Sequence, residues 1–261
     1  ITKPFAPEQL LNVIKRGLEN VRLKKENFQL ENRSFHSFEF IGESLQITKI
    51  KKLASKLSSA DSRILIYGPT GSGKELLARK IHKNSQRSKE PFVVLNGALL
   101  QPDNYEIELF GSENSDGNII YGFLEKAKGG TLLIDEVSEI PLDTQAKILR
   151  VLIDQKFKRI NGKEDIYVNV RIISSTSKDL KNEVLLGNFR EDLYHRLNVV
   201  PIEIPSLNLR SGDIPLLIKY FQKKISQING IPEVEINVND DLLYSYQWPG
   251  NVRELRNLVE R

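Results

Sequence analysis

The chain has 261 residues, with 38 Lys and Arg against 34 Asp and Glu, so its formal net charge is +4. Apolar residues at 39% and charged residues at 28% exclude a collagen-like or highly charged disordered chain, and the weak basic bias permits nucleic-acid contact without arguing for it. Cysteine is absent and histidine occurs only as His36, His82 and His195, which excludes disulfides, thiolate metal sites and cysteine nucleophiles and leaves too few ligands for a histidine zinc site. A cysteine-free chain fits a reducing cytoplasm, and no run approaches the roughly 18 apolar residues of a membrane span, so no membrane partner is expected.

The chain opens on Ile1 with no signal-peptide pattern and reads as a piece of a longer protein. Leu11, Ile14, Leu18, Val21, Lys25 and Phe28 recur at steps of three and four, which predicts a helix over residues 7–31. Pro7 and Glu8 suit its first turn. The seam is shorter than three heptads and Lys25 interrupts it. It suits either an amphipathic helix on its own domain or a dimerising linker helix with charged outer faces. The pattern breaks over residues 32–40, which read as linker.

From Ile41 onward, helical stretches alternate with short β-branched runs at 64–67, 92–95, 131–134, 168–173 and 199–204. Such runs, bounded by turn residues and separated by helices, predict the buried parallel strands of an α/β fold. After Pro205 the strands stop. Helices are predicted over 214–228, 240–246 and 251–261. The domains expected are therefore an α/β subdomain over 41–205 and a small helical subdomain over 206–261, without internal repeats.

One segment joins a predicted strand to a predicted helix (75–82): Gly68-Pro69-Thr70-Gly71-Ser72-Gly73-Lys74-Glu75. This is the setting a P-loop requires. Glycines let backbone N–H groups converge on phosphate oxygens, the helix start adds unsatisfied donors, and Lys74 adds a full positive charge. The strict pattern has Ser or Thr after the lysine, and Glu75 stands there instead, so taken alone the segment also reads as a tight turn.

A second element is the apolar run Thr131-Leu132-Leu133-Ile134, which ends in Asp135-Glu136. Taken alone it is a strand end with two solvated acids. Beside a P-loop, Asp135 could hold Mg²⁺ through its water shell and Glu136 could polarise an attacking water. A third is Phe189-Arg190-Glu191-Asp192-Leu193-Tyr194-His195-Arg196-Leu197. Its arginines suit either a solvated face or the stabilisation of charge on a transferred phosphoryl group. A fourth is Trp248-Pro249-Gly250-Asn251-Val252-Arg253, a turn that starts a helix.

Together these residues resemble the AAA+ ATPase domain of bacterial enhancer-binding proteins, the NtrC-type response regulators that activate sigma-54 RNA polymerase. The likeness runs from Ile41 to Arg261. It rests on Ile41-Gly42-Glu43-Ser44, the glycine loop with Lys74-Glu75, Glu108-Leu109-Phe110-Gly111, Gly129-Gly130-Thr131 into Asp135-Glu136, residues 189–197 and residues 248–255. Glu after the P-loop lysine is usual in this family.

The resemblance implies a parallel-sheet P-loop NTPase with a helical lid, and ATP and Mg²⁺ as cofactors. Ile41, Gly42, Gly68, Pro69, Thr70, Gly71, Ser72, Gly73, Lys74 and Glu75 would bind nucleotide. Asp135 and Glu136 would be the Walker B acids, with Asp135 holding Mg²⁺ through water. Asn96 would restrain the catalytic Glu136, and Ser177 would stand at the sensor I position, where the family more often has Thr-Asn. Arg190 and Arg196 would be arginine fingers reaching a neighbouring subunit, and Arg253 would be sensor II. A homo-oligomer is implied, a dimer through the linker helix and a ring on activation. Thr2-Lys3-Pro4-Phe5 resembles the end of a receiver domain (residues 1–6), which implies a sensor histidine kinase as partner. A DNA-binding domain beyond Arg261 implies DNA as another.

One departure is large. Family activators carry a Gly-Ala-Phe-Thr-Gly-Ala loop after Glu-Leu-Phe-Gly, and this loop touches sigma-54. Here Gly111 is followed by Ser112-Glu113-Asn114-Ser115-Asp116-Gly117-Asn118 and then Ile119, Ile120 and Tyr121, expected to be a return strand or helix start packing inward. That resembles the NtrX branch and leaves contact with RNA polymerase open. Three readings stand at this point. The chain is an ATPase of a two-component transcriptional regulator, a DNA-binding regulator using ATP as an oligomerisation signal, or a general AAA+ remodelling ATPase.

Overall fold

The computed structural model describes residues 39–100, 104–114, 118–230, 232 and 241–261. The receiver end and linker helix expected before residue 39 lie outside them. Helix α1 (Leu45–Ser58) precedes β1 (Ile64–Tyr67), which passes through the glycine loop into α2 (Lys74–Lys83). Next come β2 (Phe92–Asn96), α3 (Tyr105–Phe110), a hairpin of β3 (Ser112–Glu113) and β4 (Ile119–Ile120), α4 (Phe123–Lys126) and β5 (Thr131–Asp135). Helix α5 (Leu142–Asp154) and a second hairpin, β6 (Lys156–Phe157) and β7 (Ile166–Tyr167), lead to β8 (Arg171–Thr176). Helices α6 (Leu180–Leu185) and α7 (Glu191–Leu197) then lead to β9 (Val200–Glu203). A 3-10 segment (Leu207–Asp213) opens the lid of α8 (Ile214–Asn229), α9 (Asp241–Ser245) and α10 (Asn251–Glu260).

Five strands form one all-parallel sheet in the order β2-β5-β8-β1-β9. The runs at 64–67, 92–95 and 132–134 are apolar at consecutive positions because helices cover both faces. Side chains alternate between faces. Ile64, Ile66, Leu133 and Ile173 meet Ile47, Ala54, Leu77 and Ile81 of α1 and α2 on one side. Leu65, Leu132, Ile134 and Ile172 meet Leu109, Ile148 and Leu193 on the other. Truncating a fully buried position such as Leu133 would cost about 2–5 kcal/mol.

Strand β8 runs from Arg171 to Thr176, three residues later than its apolar content predicts. Ser174, Ser175 and Thr176 are all buried in it despite their hydroxyls. Residues 119–121 also differ from expectation. Ile119–Ile120 is a return strand, antiparallel to Ser112–Glu113, but it does not pack inward: Ile119, Ile120 and Tyr121 are 40%, 53% and 55% exposed. Polar pairing runs beside the hairpin. Arg159 makes a two-pronged bond to Glu125 (2.9 and 2.7 Å) and lies 3.9 Å from Glu113.

The register brings the carboxyl ends of the strands to one edge. Asn96 pairs with Asp135, and Tyr67 with both Thr176 and Glu203. In open parallel sheets this edge is where ligands bind.

Candidate functional site

The glycine loop leaves β1 at this edge. Gly68, Gly71 and Gly73 have φ of 151°, 77° and 105°, a region that side chains disfavour. Neighbours impose the same choice. A Cβ on Gly68 would strike the carbonyl oxygen of Ile204, and one on Gly71 that of Gly250 in the lid. Lys74 opens α2, is 6% exposed, donates from Nζ to Gly68 O at 3.0 Å, and lies 3.2 Å from Glu136 Oε1. Glu75 bonds Arg79 one turn along α2 (2.8 Å), so its carboxylate braces the helix.

Asp135 ends β5. Its Oδ1 accepts from Ser175 Oγ at 2.5 Å and its Oδ2 from Asn96 Nδ2 at 3.3 Å. Burial raises its pKa above the usual carboxylate value and adjacent Glu136 adds to this, while the Ser175 hydrogen bond and Lys74 oppose it. Glu136 adopts a left-handed backbone (φ 51°). That turns its carboxylate to the far end of β8, where Oε2 accepts from both the backbone N and Oγ of Ser177 at 2.8 Å.

Asn96, expected to restrain Glu136, bonds other partners in this structure. Asn96 touches Asp135 and, through Oδ1, Ala98 N (3.0 Å), while Ser177 and Lys74 hold Glu136. The backbone turn at Glu136 is the reason. A cleft of about 610 Å³ opens on the same edge, between Gly68 and Pro69 of the loop and Tyr194 of α7.

The lid meets the loop through its backbone. The N–H of Arg253, unsatisfied within α10 because it lies in the first turn, donates to Gly71 O at 3.3 Å. Asn251 Nδ2 donates to Thr70 O (3.0 Å), and Arg210 Nη2 to Ser72 O (2.9 Å). The side chain of Arg253 is exposed. Ahead of α1, Gly42 is buried and Ile41 half-buried. Buried Asp213 accepts from Glu43 N (2.6 Å), Ser44 N (2.8 Å) and Ser44 Oγ (2.8 Å), holding residues 43 and 44 ahead of α1.

Two expected residues stand apart. Arg190 immediately precedes α7, is exposed, and pairs with Asp192 at 2.8 Å. Arg196 is exposed and reaches Leu152 O at 3.4 Å. Neither bonds the glycine loop or the two acids among the described residues. Ser175, Arg210 and Asp213 were missed by sequence reasoning. Ser175 lies in a polar strand end that looks like a loop, and Arg210 and Asp213 look like ordinary surface charges at a helix start. No group of three or more His, Asp or Glu gathers as a metal site among the described residues.

Residues 40–203 match the family model described as the sigma-54 interaction domain, and residues 208–261 that of an AAA+ ATPase lid domain. The chain belongs to the sigma-54 interaction domain family. Its fold is accordingly that of an AAA+ P-loop NTPase with a parallel central sheet and a helical lid. Over its whole length it is 46% identical to the nitrogen assimilation regulatory protein NtrX of Azorhizobium caulinodans, of which it covers 58%. It is 44% identical to a putative NtrX-like response regulator of Rickettsia felis, of which it covers 55%. The crystal structures of NtrX from Brucella abortus in complex with ADP and with ATP are similar at TM-scores of 0.82 and 0.81 and 45% identity. The match takes in all of this chain and 59% and 60% of theirs. The chain thus spans somewhat more than half the length of these relatives.

Proposed function

We propose that the chain is the ATP-binding and ATP-hydrolysing central domain of a cytoplasmic two-component transcription regulator. The carrying observation is the meeting of Lys74, Asp135 and Glu136 at the carboxyl edge of the sheet, with Lys74 Nζ 3.2 Å from Glu136 beside three glycines in strained φ. The ADP and ATP complexes of the Brucella relative support the same reading.

Lys74 and the loop N–H groups bind phosphate, and Glu136, once Lys74 turns to the nucleotide, accepts a proton from the attacking water. The residues present fit Mg²⁺. Asp135 is a buried carboxylate oriented by Ser175 and Asn96, and burial disfavours its charge until a cation stands by. Bound Mg²⁺ supplies neutralisation of phosphate charge.

Arg190 and Arg196, exposed and without a bond to Asp135 or Glu136 among the described residues, act on a neighbouring subunit's nucleotide, which makes the working form a homo-oligomer. A sensor kinase and DNA would act through parts of the protein outside this chain. The direct test is titration with Mg·ATP together with phosphate release. Binding with turnover supports the reading, binding without turnover favours ATP as a signal alone, and absence of binding overturns both.

We infer further that the protein does not open sigma-54 promoter complexes, because Asn114 to Asn118 replace the aromatic-tipped contact loop. Exposed Ile119, Ile120 and Tyr121 favour a second reading, in which they form a surrogate contact. Reconstituted transcription with sigma-54 polymerase, ATP and an enhancer site separates the two.

A further inference from the structure

Three successive carbonyls of the glycine loop are held by groups of the lid. Thr70 O accepts from Asn251 Nδ2, Gly71 O from Arg253 N, and Ser72 O from Arg210 Nη2. Asn251 and Arg210 are 2% and 3% exposed, so both donor side chains are withdrawn from bulk water. The amide of Asn251 cannot be turned round, because its Oδ1 accepts from Leu207 N at 2.8 Å and so leaves Nδ2 facing the loop. Arg210 is held less completely. Its Nε has no partner among the described residues, and burial lowers its pKa to about 10 against the pull of Asp213, which leaves it charged at neutral pH.

A trans peptide is planar, and its C=O and N–H point in opposite directions. Fixing the carbonyls of Thr70 and Ser72 toward the lid therefore turns the N–H groups of Gly71 and Gly73 away from it. The peptide between Gly71 and Ser72 differs, since Ser72 N is already bonded to Pro69 O at 3.2 Å. The N–H groups of Gly71 and Gly73 donate to no acceptor among the described residues.

We propose that Arg210 and Asn251 are positioning residues. From the lid they set the peptide planes of the phosphate-binding loop, so that the Gly71 and Gly73 N–H groups are aimed before phosphate arrives. This rests on the nucleotide-binding reading above. It gives the lid a part in phosphate affinity that does not pass through the Arg253 side chain, and it ties lid placement to that affinity. Glycine at position 71 serves the same coupling, since a Cβ there would strike Gly250 O and break the lid's approach.

The test compares dissociation constants for ADP and AMP, the latter by competition, in the parent and three variants. Parent chain that fails to bind ADP overturns the nucleotide reading itself, before any variant is considered. Asn251→Ser is neutral and leaves the field at the phosphates unchanged. It should weaken ADP by about tenfold or more, the size expected for losing an aligned hydrogen bond to a charged ligand, and AMP by less than about threefold. Arg210→Met should do the same, and Arg210→Lys, which keeps a donor and the charge, should recover most of the loss. Circular dichroism and the unfolding midpoint without nucleotide check folding, and where Arg210→Met does not fold, Asn251→Ser decides. Equal losses for ADP and AMP, or unchanged ADP affinity in folded Asn251→Ser, would overturn the proposal.

Discussion

Lys74 and Glu136 neutralise each other at the mouth of the glycine loop, at 6% and 15% side-chain exposure. A phosphate must compete with Glu136 for Lys74, so the two residues separate cleanly by mutation. Lys74→Ala should lose nucleotide affinity in calorimetry, and affinity equal to the parent's would remove Lys74 from the site. Glu136→Gln should keep binding while turnover falls by about 10²–10⁴, the range for loss of a general base. Turnover near the parent level would assign the base elsewhere. Asp135 carries a different signature. Its folded-state pKa lies above the unfolded value, so its ionised form costs stability at neutral pH, and that cost disappears as pH falls below the unfolded value. Asp135→Asn should therefore raise the unfolding midpoint of nucleotide-free protein at pH 7, with the gain shrinking toward acid pH. A midpoint lowered at pH 7 would contradict this.

At the scale of elements, two hairpins are joined. Ile160 N donates to Gly111 O at 2.9 Å and Glu113 N to Ile160 O at 3.0 Å, linking β3 to the connection between β6 and β7. Arg159 clamps the join through Glu125, and its guanidinium lies 5.5 Å from the ring centre of Tyr121. Both ends of that ion pair are 12% exposed, so it is shielded from the screening that weakens surface pairs. Arg159→Ala should speed limited proteolysis within residues 112–121 while leaving the cleavage of α8 unchanged. Uniform acceleration along the chain would mean that Arg159 supports the whole fold instead. The lid's hold on the glycine loop is the other join, and it follows from α10 offering an unpaired first-turn N–H where Gly71 offers a carbonyl.

For the whole molecule, the exposure of Arg190 and Arg196 carries the prediction. If they complete a neighbour's site, specific ATPase activity should rise with protein concentration. Arg190→Ala and Arg196→Ala should each lower it, by at most about 10³–10⁵ for a full arginine finger. Turnover independent of concentration in a monomer would rule out a shared site. The same scale governs transcription. A machine shifts its partner only by the difference in its contacts with the partner's two states. The polar turn after Glu113 offers little for that, so ATP should not drive open complexes with sigma-54 polymerase.

The parallel sheet was legible because the short β-branched runs at 64–67 and 131–134 are bounded by turn residues and separated by helices, which suits strands covered on both faces. The glycine loop was legible because strained backbone and phosphate both demand glycine, and the paired acids at 135 and 136 because a charged pair ending a buried strand marks its open edge. These are local rules that the chain obeys whatever surrounds it. Tertiary structure decided the rest. Strand β8 extends through three hydroxyl residues because its backbone pairs with β1 and β5 on either side. Ser175 Oγ donates to Asp135 and Thr176 Oγ1 to Ser138 Oγ, while Ser174 Oγ has no partner among the described residues. Ser177, not Asn96, holds Glu136 because one left-handed residue redirects a side chain across the sheet edge. Arg210 and Asn251 reach the glycine loop from more than 130 positions away, by 138 and 181 residues. No periodicity or motif spacing encodes such contacts, since they exist only once the lid has folded against the sheet.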